Sequence, residues 1–388
     1  MKTLSYTLCA VLAAGFAFTG DAQVKPKSKK VTELKFSGRI QGQWDGIESE
    51  QVGGENRNHF YFRRLFLGGH AKMGDNWGGD IVMDFAASPN VEKFEDSGGE
   101  SHSAKGEQVF IDGASIWYKH GNHKFQIGQK KVPFGVEETT SSSKLKAIER
   151  SAVNRQFAEE LKFNARHTGL FASGSLDGGY SYDVAVVNSG QNHNSKSGSL
   201  KGGLYGYDDN ELSYYGRVQY ANYDSELRTV IGAAAGVMET AQSKASDLTA
   251  YNIFGSFGYG AANLDIEYMT GTASKSSGDE DHKGYSAQLS YAINNAPVGA
   301  WELVYRYSTV ESSGDKVGAD EIVRRANFSS GAGFKNVHEV DQNYLGVNYL
   351  FAGHDAKFML GYEMNSLSKV DGSKADADGF RARVQFLF

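Results

Sequence analysis

The chain ends on the stretch Phe380-Arg381-Ala382-Arg383-Val384-Gln385-Phe386-Leu387-Phe388, which decides its fold. Successive side chains of an extended strand point to opposite faces, so Phe380, Val384 and Phe386 share one face while Arg381 and Arg383 share the other. One face suits hydrocarbon and the other suits water. A soluble protein has no reason to end on a terminal phenylalanine at the edge of such a stripe. This stretch therefore predicts a strand that separates lipid from water.

The same alternation recurs along the chain, as where Leu264, Ile266 and Tyr268 oppose Asp265 and Glu267. It appears in sixteen segments, near 34–44, 59–72, 77–86, 108–120, 123–132, 164–175, 180–188, 211–222, 228–238, 249–257, 262–271, 284–293, 300–310, 340–351, 356–365 and 378–388. No apolar run beyond the N-terminal region reaches the length of about 18 residues that a helical membrane span needs. A barrel strand needs only about 10 residues, with every second side chain facing lipid.

The connections between these segments alternate in length. Those after even-numbered segments are short, such as 121–122, 177–179, 224–226 and 352–354. Those after odd-numbered segments are long and polar, around 45–58, 87–107, 133–163, 189–210, 239–248, 272–283, 311–339 and 366–377. Short turns at one rim and long loops at the other are typical of barrels in the bacterial cell outer membrane. The sequence therefore predicts an all-β fold, a 16-stranded antiparallel transmembrane β-barrel, closed because unpaired strand edges are not tolerated in lipid.

The N-terminal region is expected to be removed on export. Lys2 gives a positive start, residues 8–18 are apolar, and Gly20-Asp21-Ala22 offers small residues for cleavage, so residues 1–22 are predicted to be a signal peptide. Residues 23–33 are then a Lys-rich periplasmic segment, and residues 34–388 form the barrel domain. The only cysteine, Cys9, lies in the predicted signal peptide, so neither a disulfide nor a thiolate metal site is expected in the mature protein.

Composition and motifs argue against several other functions. The net charge of the 388 residues is -6, without the basic excess that nucleic-acid binding usually needs. Neither a Gly-x-Ser-x-Gly turn nor a His-Glu-x-x-His helix is present, so no catalytic residue is assigned and no enzyme activity is expected. The acid-rich stretches 277–281 and 376–379 lack the full spacing of a calcium loop, so they are interpreted as solvated loops. No metal and no cofactor are expected.

The third long connection, residues 133–163, is expected to act on permeation, and its basic residues include Lys144, Lys146, Arg150 and Arg155. Alternation places further basic side chains on the water-facing side of the strands: Arg39, Arg64, Lys130, Arg166, Arg217, Arg306, Arg381 and Arg383. Lys131 falls on the lipid-facing side, so either the strand is irregular before Pro133 or Lys131 lies at a rim. Because Arg and Lys side chains that line a pore favour anions, this whole set, with Lys131, is predicted to line the pore and guide anions.

Several stretches resemble the phosphate-selective porin O and P family. The most specific is Gly128-Gln129-Lys130-Lys131-Val132-Pro133-Phe134-Gly135, supported by Phe62-Arg63-Arg64-Leu65, Glu149-Arg150-Ser151, Leu345-Gly346-Val347-Asn348-Tyr349 and the closing Arg383-Val384-Gln385-Phe386-Leu387-Phe388. The resemblance implies a homotrimer of sixteen-stranded barrels in outer-membrane lipid, each passing small anions of the phosphate class. In trimeric porins the third long loop folds inward and narrows the barrel, so the same is expected of residues 133–163; the alternative interpretation is a solvated extracellular loop.

The predicted lumen also contains acids, which leaves a second interpretation open. Alternation places on the water-facing side Asp80, Asp84, Asp112, Asp265, Glu267, Glu302 and Glu363. A lumen of mixed charge describes a weakly selective general-diffusion porin, in which interior Arg residues pair with interior acids and brace the wall. A hydrolase embedded in a barrel and a secreted β-rich adhesin are less favoured interpretations. Phosphate specificity rests on the family resemblance alone.

Overall fold

The computed structural model describes residues 30–48, 57–86, 90–95, 101–106, 109–188, 211–239, 247–274, 278–294, 299–323 and 333–388. The predicted signal peptide, most of the predicted periplasmic segment and the long connection 189–210 lie outside the described residues.

Sixteen strands form the wall, and each agrees with one of the sixteen predicted segments. They are β1 Glu33–Glu48, β2 Arg57–Met73, β3 Trp77–Asp84, β4 Phe110–His120, β5 His123–Lys131, β6 Arg166–Ser175, β7 Tyr180–Asn188, β8 Leu212–Asn222, β9 Leu227–Met238, β10 Asp247–Tyr259, β11 Ala262–Ser274, β12 Glu280–Ile293, β13 Ala300–Ser312, β14 Glu339–His354, β15 Ala356–Ser368 and β16 Asp378–Leu387. Each strand pairs antiparallel with the next, and β1 pairs with β16 from Arg39↔Leu387 to Glu48↔Asp378. The predicted closed, 16-stranded barrel is confirmed.

The two faces of the wall differ as alternation predicted. In β16, Phe380, Val384 and Phe386 are 50, 57 and 40% exposed, whereas Arg381 and Arg383 are at most 1% exposed. Aromatic side chains such as Tyr180 and Tyr220 of neighbouring strands contact each other near the ends of β7 and β8. An apolar outer band with aromatic residues near the strand ends is what a lipid-facing barrel surface requires.

Short turns join the strands at one end of the barrel, called here the short-turn rim; the opposite end is the long-loop rim. The turn predicted at 352–354 is instead part of β14, which has a register shift between Leu350 and Ala352 and runs to His354.

The long connections contain small elements: the paired strands Asn90–Glu95 and Ser101–Gly106, helices α1 Val136–Thr139, α2 Ala152–Arg155 and α3 Ala319–Ile322, the π-helical turn Gln156–Glu160, the paired strands Val317–Gly318 and Asn336–Val337, and the strand Lys374–Asp376 against β15.

No helix of the described residues is long and apolar enough to cross a membrane.

A β-bulge in β2 changes which side chains face inward. Gln41 of β1 lies opposite Arg64, but Gly42 lies opposite Phe62, so Arg63 has no partner in the register. A bulge inserts one extra residue and locally breaks the alternation. As a result the neighbouring residues Arg63 and Arg64 both reach the inner side, where strict alternation allows only one of them.

Tyr344 of β14 shows how closely the inner wall is packed. Its ring is fully buried, in a small apolar cluster with Ala147, Ile148, Val304 and Met359. Gly361, on the neighbouring β15, leaves the space that the ring occupies, because a Cβ atom at Gly361 would lie 2.3 Å from Cε2 of Tyr344.

Gly361→Ala is therefore expected to lower the free energy of unfolding by about 1–3 kcal/mol, the usual cost of overpacking. Gly216→Ala is the matched control, since a Cβ atom there meets nothing within 4 Å. The measurement is urea unfolding of the barrel in lipid vesicles, followed by tryptophan fluorescence. Equal stability of the two variants would contradict the packing described for Tyr344.

Candidate permeation site

A cavity of about 490 Å³ lies along the inner side of β1 to β8. Its wall carries seven basic side chains, Arg39, Arg64, Lys130, Lys131, Arg150, Arg166 and Arg217, and four acidic ones, Asp112, Glu138, Glu159 and Asp183. The side chains come from strands on one side of the barrel and from the segment 133–163. All seven basic residues were predicted from the sequence to face the pore, and the fold brings them to one cavity.

Three of these cations have no carboxylate within ion-pair distance among the described residues. Arg39 donates to the hydroxyl groups of Ser142 (2.6 Å) and Ser141 (3.0 Å). Arg64 donates to Oε1 of Gln41 at 3.2 Å. Lys130 donates to Oε1 of Gln126 at 2.9 Å and lies over the ring of Phe171. The hydrogen-bond partners of Arg39, Arg64 and Lys130 are thus neutral, and none of the three forms a direct ion pair among the described residues.

The other four cations of the cavity are paired. Arg166 binds Asp112 through two nitrogen atoms, and Arg217 binds Asp183 at 2.7 Å.

Lys131 and Arg150 share one acid, Glu138, and Arg150 lies 3.0 Å from it. Burial raises the pKa of Glu138, but the Arg150 and Lys131 cations outweigh that effect and hold the pKa below its usual value. Lys131 thus reaches the cavity wall although alternation had placed it on the lipid-facing side.

The segment 133–163 contacts inner-face side chains from many strands. Its residues bond to Arg39 of β1, Arg217 of β8, Glu267 of β11, Arg306 of β13 and Lys357 of β15. These strands lie on different sides of the closed sheet. The contacts therefore extend across the space that the sheet encloses.

Glu149 is the centre of the polar contacts that hold this segment. Its carboxylate accepts hydrogen bonds from Arg63 of β2 at 2.9 and 3.2 Å, from Arg383 of β16 at 2.9 Å, from Gln43 of β1 at 3.2 Å, and from Arg155. Burial raises the pKa of Glu149, but the guanidinium groups of Arg63, Arg155 and Arg383 outweigh it and hold the pKa well below its usual range. One buried carboxylate therefore joins the segment to strands on both sides of the β1–β16 closure.

Three of the predicted pore-lining arginines, Arg155, Arg381 and Arg383, line neither this cavity nor a second, smaller one under β9 to β13, which corrects the prediction. All three are at most 2% exposed. Arg381 lies 3.0 Å from Asp45 and 2.8 Å from Glu363. Alternation identified the inner face correctly, but it does not show that segment 133–163 and the inner acids cover these side chains. They brace the wall.

Lys144 and Lys146 belong to a second cavity, of about 390 Å³, under β9 to β13. Its charged lining also includes Glu137, Asp265, Glu267 and Arg306. Lys146 donates to Oγ of Ser290 at 2.7 Å and lies 3.6 Å from Asp265. This second cavity is balanced in charge, whereas the first has more basic than acidic side chains.

The predicted inner acids are divided between the two sides of the barrel. Asp80 pairs with His70 at 2.8 Å, Asp84 is buried, and Asp112 lines the first cavity. Glu302 accepts from Asn348 at 2.9 Å, and Glu363 binds Arg381. Within the described part of the chain, no group of three or more His, Cys, Asp or Glu side chains is arranged to hold a metal ion.

Sequence reasoning missed two features of the site. Arg63 was not among the predicted inward residues, because its position depends on the bulge opposite Gln41 and Gly42. Ser141 and Ser142 were not singled out either, although their hydroxyl groups bind Arg39. The run Thr139-Thr140-Ser141-Ser142-Ser143 was visible as a stretch of hydroxyl side chains, but nothing local indicated that it faces a cation.

The sequence matches the family described as "Phosphate-selective porin O and P" over residues 34–388. It is 23% identical over 459 residues to Porin O of Pseudomonas aeruginosa, and the alignment covers 100% of this chain and 98% of that protein. It is 24% identical over 399 residues to an uncharacterized protein of Aquifex aeolicus, covering 94% of this chain and 90% of that protein.

Solved structures share the fold at low sequence identity. The outer membrane channel DcaP of Acinetobacter baumannii is similar with a TM-score of 0.61 at 12% identity, over 94% of this chain and 99% of that one. An anion-selective porin from Comamonas acidovorans gives 0.59 at 12%, over 92 and 99%. OmpT of Vibrio cholerae, solved in a trimer form, gives 0.54 at 12%, over 91 and 99%. Because the family match extends from the first strand through the last, the chain belongs to the phosphate-selective porin O and P family.

Proposed function

We propose that this outer-membrane barrel is a passive channel for small anions, with phosphate or polyphosphate as its ligand class. The observation that carries the proposal is the set of three cations, Arg39, Arg64 and Lys130, that line one cavity without an acidic partner among the described residues. Rings or rows of Arg and Lys attract anions into a pore. The family description supports the phosphate class.

The mechanism needs binding and release but no chemical step. A guanidinium group presents donors in a fork that matches two oxygen atoms of a phosphate, and Lys130 adds a compact positive charge. Three cations with neutral partners offer several weak positions, so an anion enters without being trapped. The segment 133–163 narrows the lumen beside these positions, as its contacts across the barrel suggest.

The proposal includes how the chain is processed and how it assembles in the membrane. Residues 1–22 act as a signal peptide, residues 23–33 remain in the periplasm, and the exposed apolar band of residues 34–388 contacts outer-membrane lipid. A homotrimer is supported by OmpT of Vibrio cholerae, which shares the fold and has been solved in a trimer form.

A second candidate function is a weakly selective general-diffusion porin. It is favoured by the four paired cations of the first cavity and by the balanced charge of the second. This function also passes anions, but with little preference over cations of similar size. The two candidates differ in selectivity, not in fold.

Reversal potentials in a salt gradient across a planar bilayer separate the two candidates. A channel that prefers anions gives a reversal potential whose sign shows that anions cross more easily than cations. A general-diffusion porin gives a reversal potential near zero. Clear cation selectivity would remove both the anion proposal and the role given to Arg39, Arg64 and Lys130. Competition of phosphate, pyrophosphate and chloride on single-channel current then tests the phosphate class, since a bound phosphate is expected to reduce chloride current.

A further inference from the structure

A large apolar core fills part of the barrel interior, and the strands of the wall contribute to it unequally. The wall supplies buried residues that include Val187 of β7, Met238 of β9, Leu248 of β10, Val310 of β13 and Leu367 of β15, none more than 1% exposed. The connecting segments supply, fully or almost fully buried, Val153, Phe157, Phe163, Val317, Ile322, Val323 and Val337. These side chains form one continuous cluster.

The core lies at the long-loop rim. Odd-numbered strands run toward that rim, and Val187, Met238 and Leu367 lie at or next to the ends of β7, β9 and β15. Even-numbered strands begin there, and Leu248 is the second residue of β10. The inner side of β7 to β15 is thus packed against residues 152–163, 317–323 and 336–337 at this level.

The second cavity lies below this core. Its lining includes Ser256, three residues before the end of β10, and Asn263, the second residue of β11. Both positions are near the short-turn rim. Ala250 and Ala273, on the same two strands toward the long-loop rim, belong to the core instead.

The opposite side of the barrel has a different lining. The first cavity is bordered by Val82 of β3, Asp112 of β4, Lys130 of β5, Ser173 of β6 and Asp183 of β7. None of these five residues is a member of the apolar core, although Phe171 of β6 belongs to the core and also lines the first cavity. Among the described residues the core has no member on β2 to β5, whereas beside β9 to β11 and β13 to β15 it fills the interior at the long-loop rim.

We propose that the barrel conducts on one side only: ions pass along the inner side of β2 to β6, and the second cavity is a blind pocket that opens to the short-turn rim. The proposal rests on the proposed channel function and adds the path. Asp265 and Glu267, which face the blind pocket, lie off this path. Their negative charges then have little effect on permeating anions, which removes the objection that a lumen of mixed charge cannot be selective.

Cysteine variants test the path, because the only natural cysteine is Cys9, within the predicted signal peptide. Val82→Cys and Ser173→Cys place a thiol on the conducting side, and Ser256→Cys and Gln288→Cys place one in the blind pocket. Each purified variant is modified with a small sulfonate-bearing thiol reagent, and mass spectrometry confirms the adduct. Heat-dependent mobility on gels confirms that each barrel is folded.

The expected result is a contrast between the two pairs. The sulfonate at Val82→Cys or Ser173→Cys reduces single-channel current by at least about twofold and moves the reversal potential toward cation preference, because a fixed negative charge in the path repels anions. The same adduct at Ser256→Cys or Gln288→Cys leaves both quantities at their unmodified values. Equal effects at the two pairs, including no effect at either, would overturn the one-sided path. Cation preference of the unmodified channel would instead overturn the proposed function, and the contrast between pairs still decides the path.

Discussion

Glu149→Gln is expected to lower the free energy of unfolding by about 3–5 kcal/mol, the usual cost of breaking a buried ion pair by removing one partner. Arg63, Arg155 and Arg383 all bind this carboxylate, and none is more than 8% exposed. Without the negative charge of Glu149, Arg63 and Arg383 lose the acid that both of them bind, and Arg155 keeps its longer contact with Glu159 at 3.8 Å. The repulsion between these buried cations and the cost of their desolvation weaken the contacts between segment 133–163 and the strands β2 and β16.

The same substitution is expected to change conduction. A glutamine at position 149 keeps one acceptor oxygen and no negative charge, so the bonds of segment 133–163 to Arg63, Arg383 and Gln43 become fewer and weaker. The segment is then held less firmly beside the first cavity. Single-channel recordings of Glu149→Gln are expected to show higher and noisier current than the unaltered protein. Unfolding in urea gives the stability, measured on the same preparation.

Glu311→Gln is the matched control. Glu311 pairs with Lys283 at 2.7 Å, but the two side chains are 36 and 58% exposed. Exposed pairs contribute about 0–1 kcal/mol, so the control is expected to stay near the stability of the unaltered protein. If Glu149→Gln and Glu311→Gln were equally stable, Glu149 would not be the anchor described here.

The depressed pKa of Glu149 fixes the sign of its pH dependence. A carboxyl group whose folded pKa lies below its unfolded value, about 4.3, stabilises the protein above that value and loses this contribution as the pH falls through the folded pKa. Current and stability are therefore expected to change little between pH 7 and about 5 on account of Glu149. Below that range the acid-dependent loss of stability is expected to be smaller in Glu149→Gln, which has already lost the charge.

Removing the three unpaired charges together, as Arg39→Gln, Arg64→Gln and Lys130→Gln, is expected to abolish the anion preference. At an effective dielectric constant of about 20, a charge about 8 Å from a passing ion contributes about 2 kcal/mol, before screening by salt. The ratio of anion to cation permeability is therefore expected to fall at least about tenfold in the triple variant. Reversal potentials at low ionic strength measure it, since screening is weakest there.

Lys283→Gln is the control for the triple variant, because Lys283 is 58% exposed, pairs with Glu311 and does not line either cavity. It removes a positive charge of the same kind and is expected to leave selectivity unchanged. Lys130→Gln alone is expected to lower the ratio of anion to cation permeability less than the triple variant does. This single variant keeps the prediction testable if the triple variant fails to fold. An unchanged permeability ratio in a folded triple variant would show that these cations do not select the ion.

The sequence alone predicted the barrel, its strand number and the alternation of short and long connections. The physical reason is that these features are local: a strand between lipid and water must alternate every second residue, as Phe380 to Phe388 does, and each turn is encoded where it occurs. Five of the seven basic residues of the first cavity were predicted for the same reason, because they follow the alternation of their own strands: Arg39, Arg64, Lys130, Arg166 and Arg217.

Only the tertiary structure decided which inner residues meet water. Arg383 and Arg39 have the same alternation and the same chemistry, yet Arg383 is buried against Glu149 and Arg39 lines an open cavity. Glu149 is 234 residues from Arg383 in the chain, so no local pattern contains their contact. The bulge that turns Arg63 inward likewise depends on the register between two strands. Pairing across the barrel is a property of the closed sheet and the segment packed within it, whereas alternation is a property of each strand by itself.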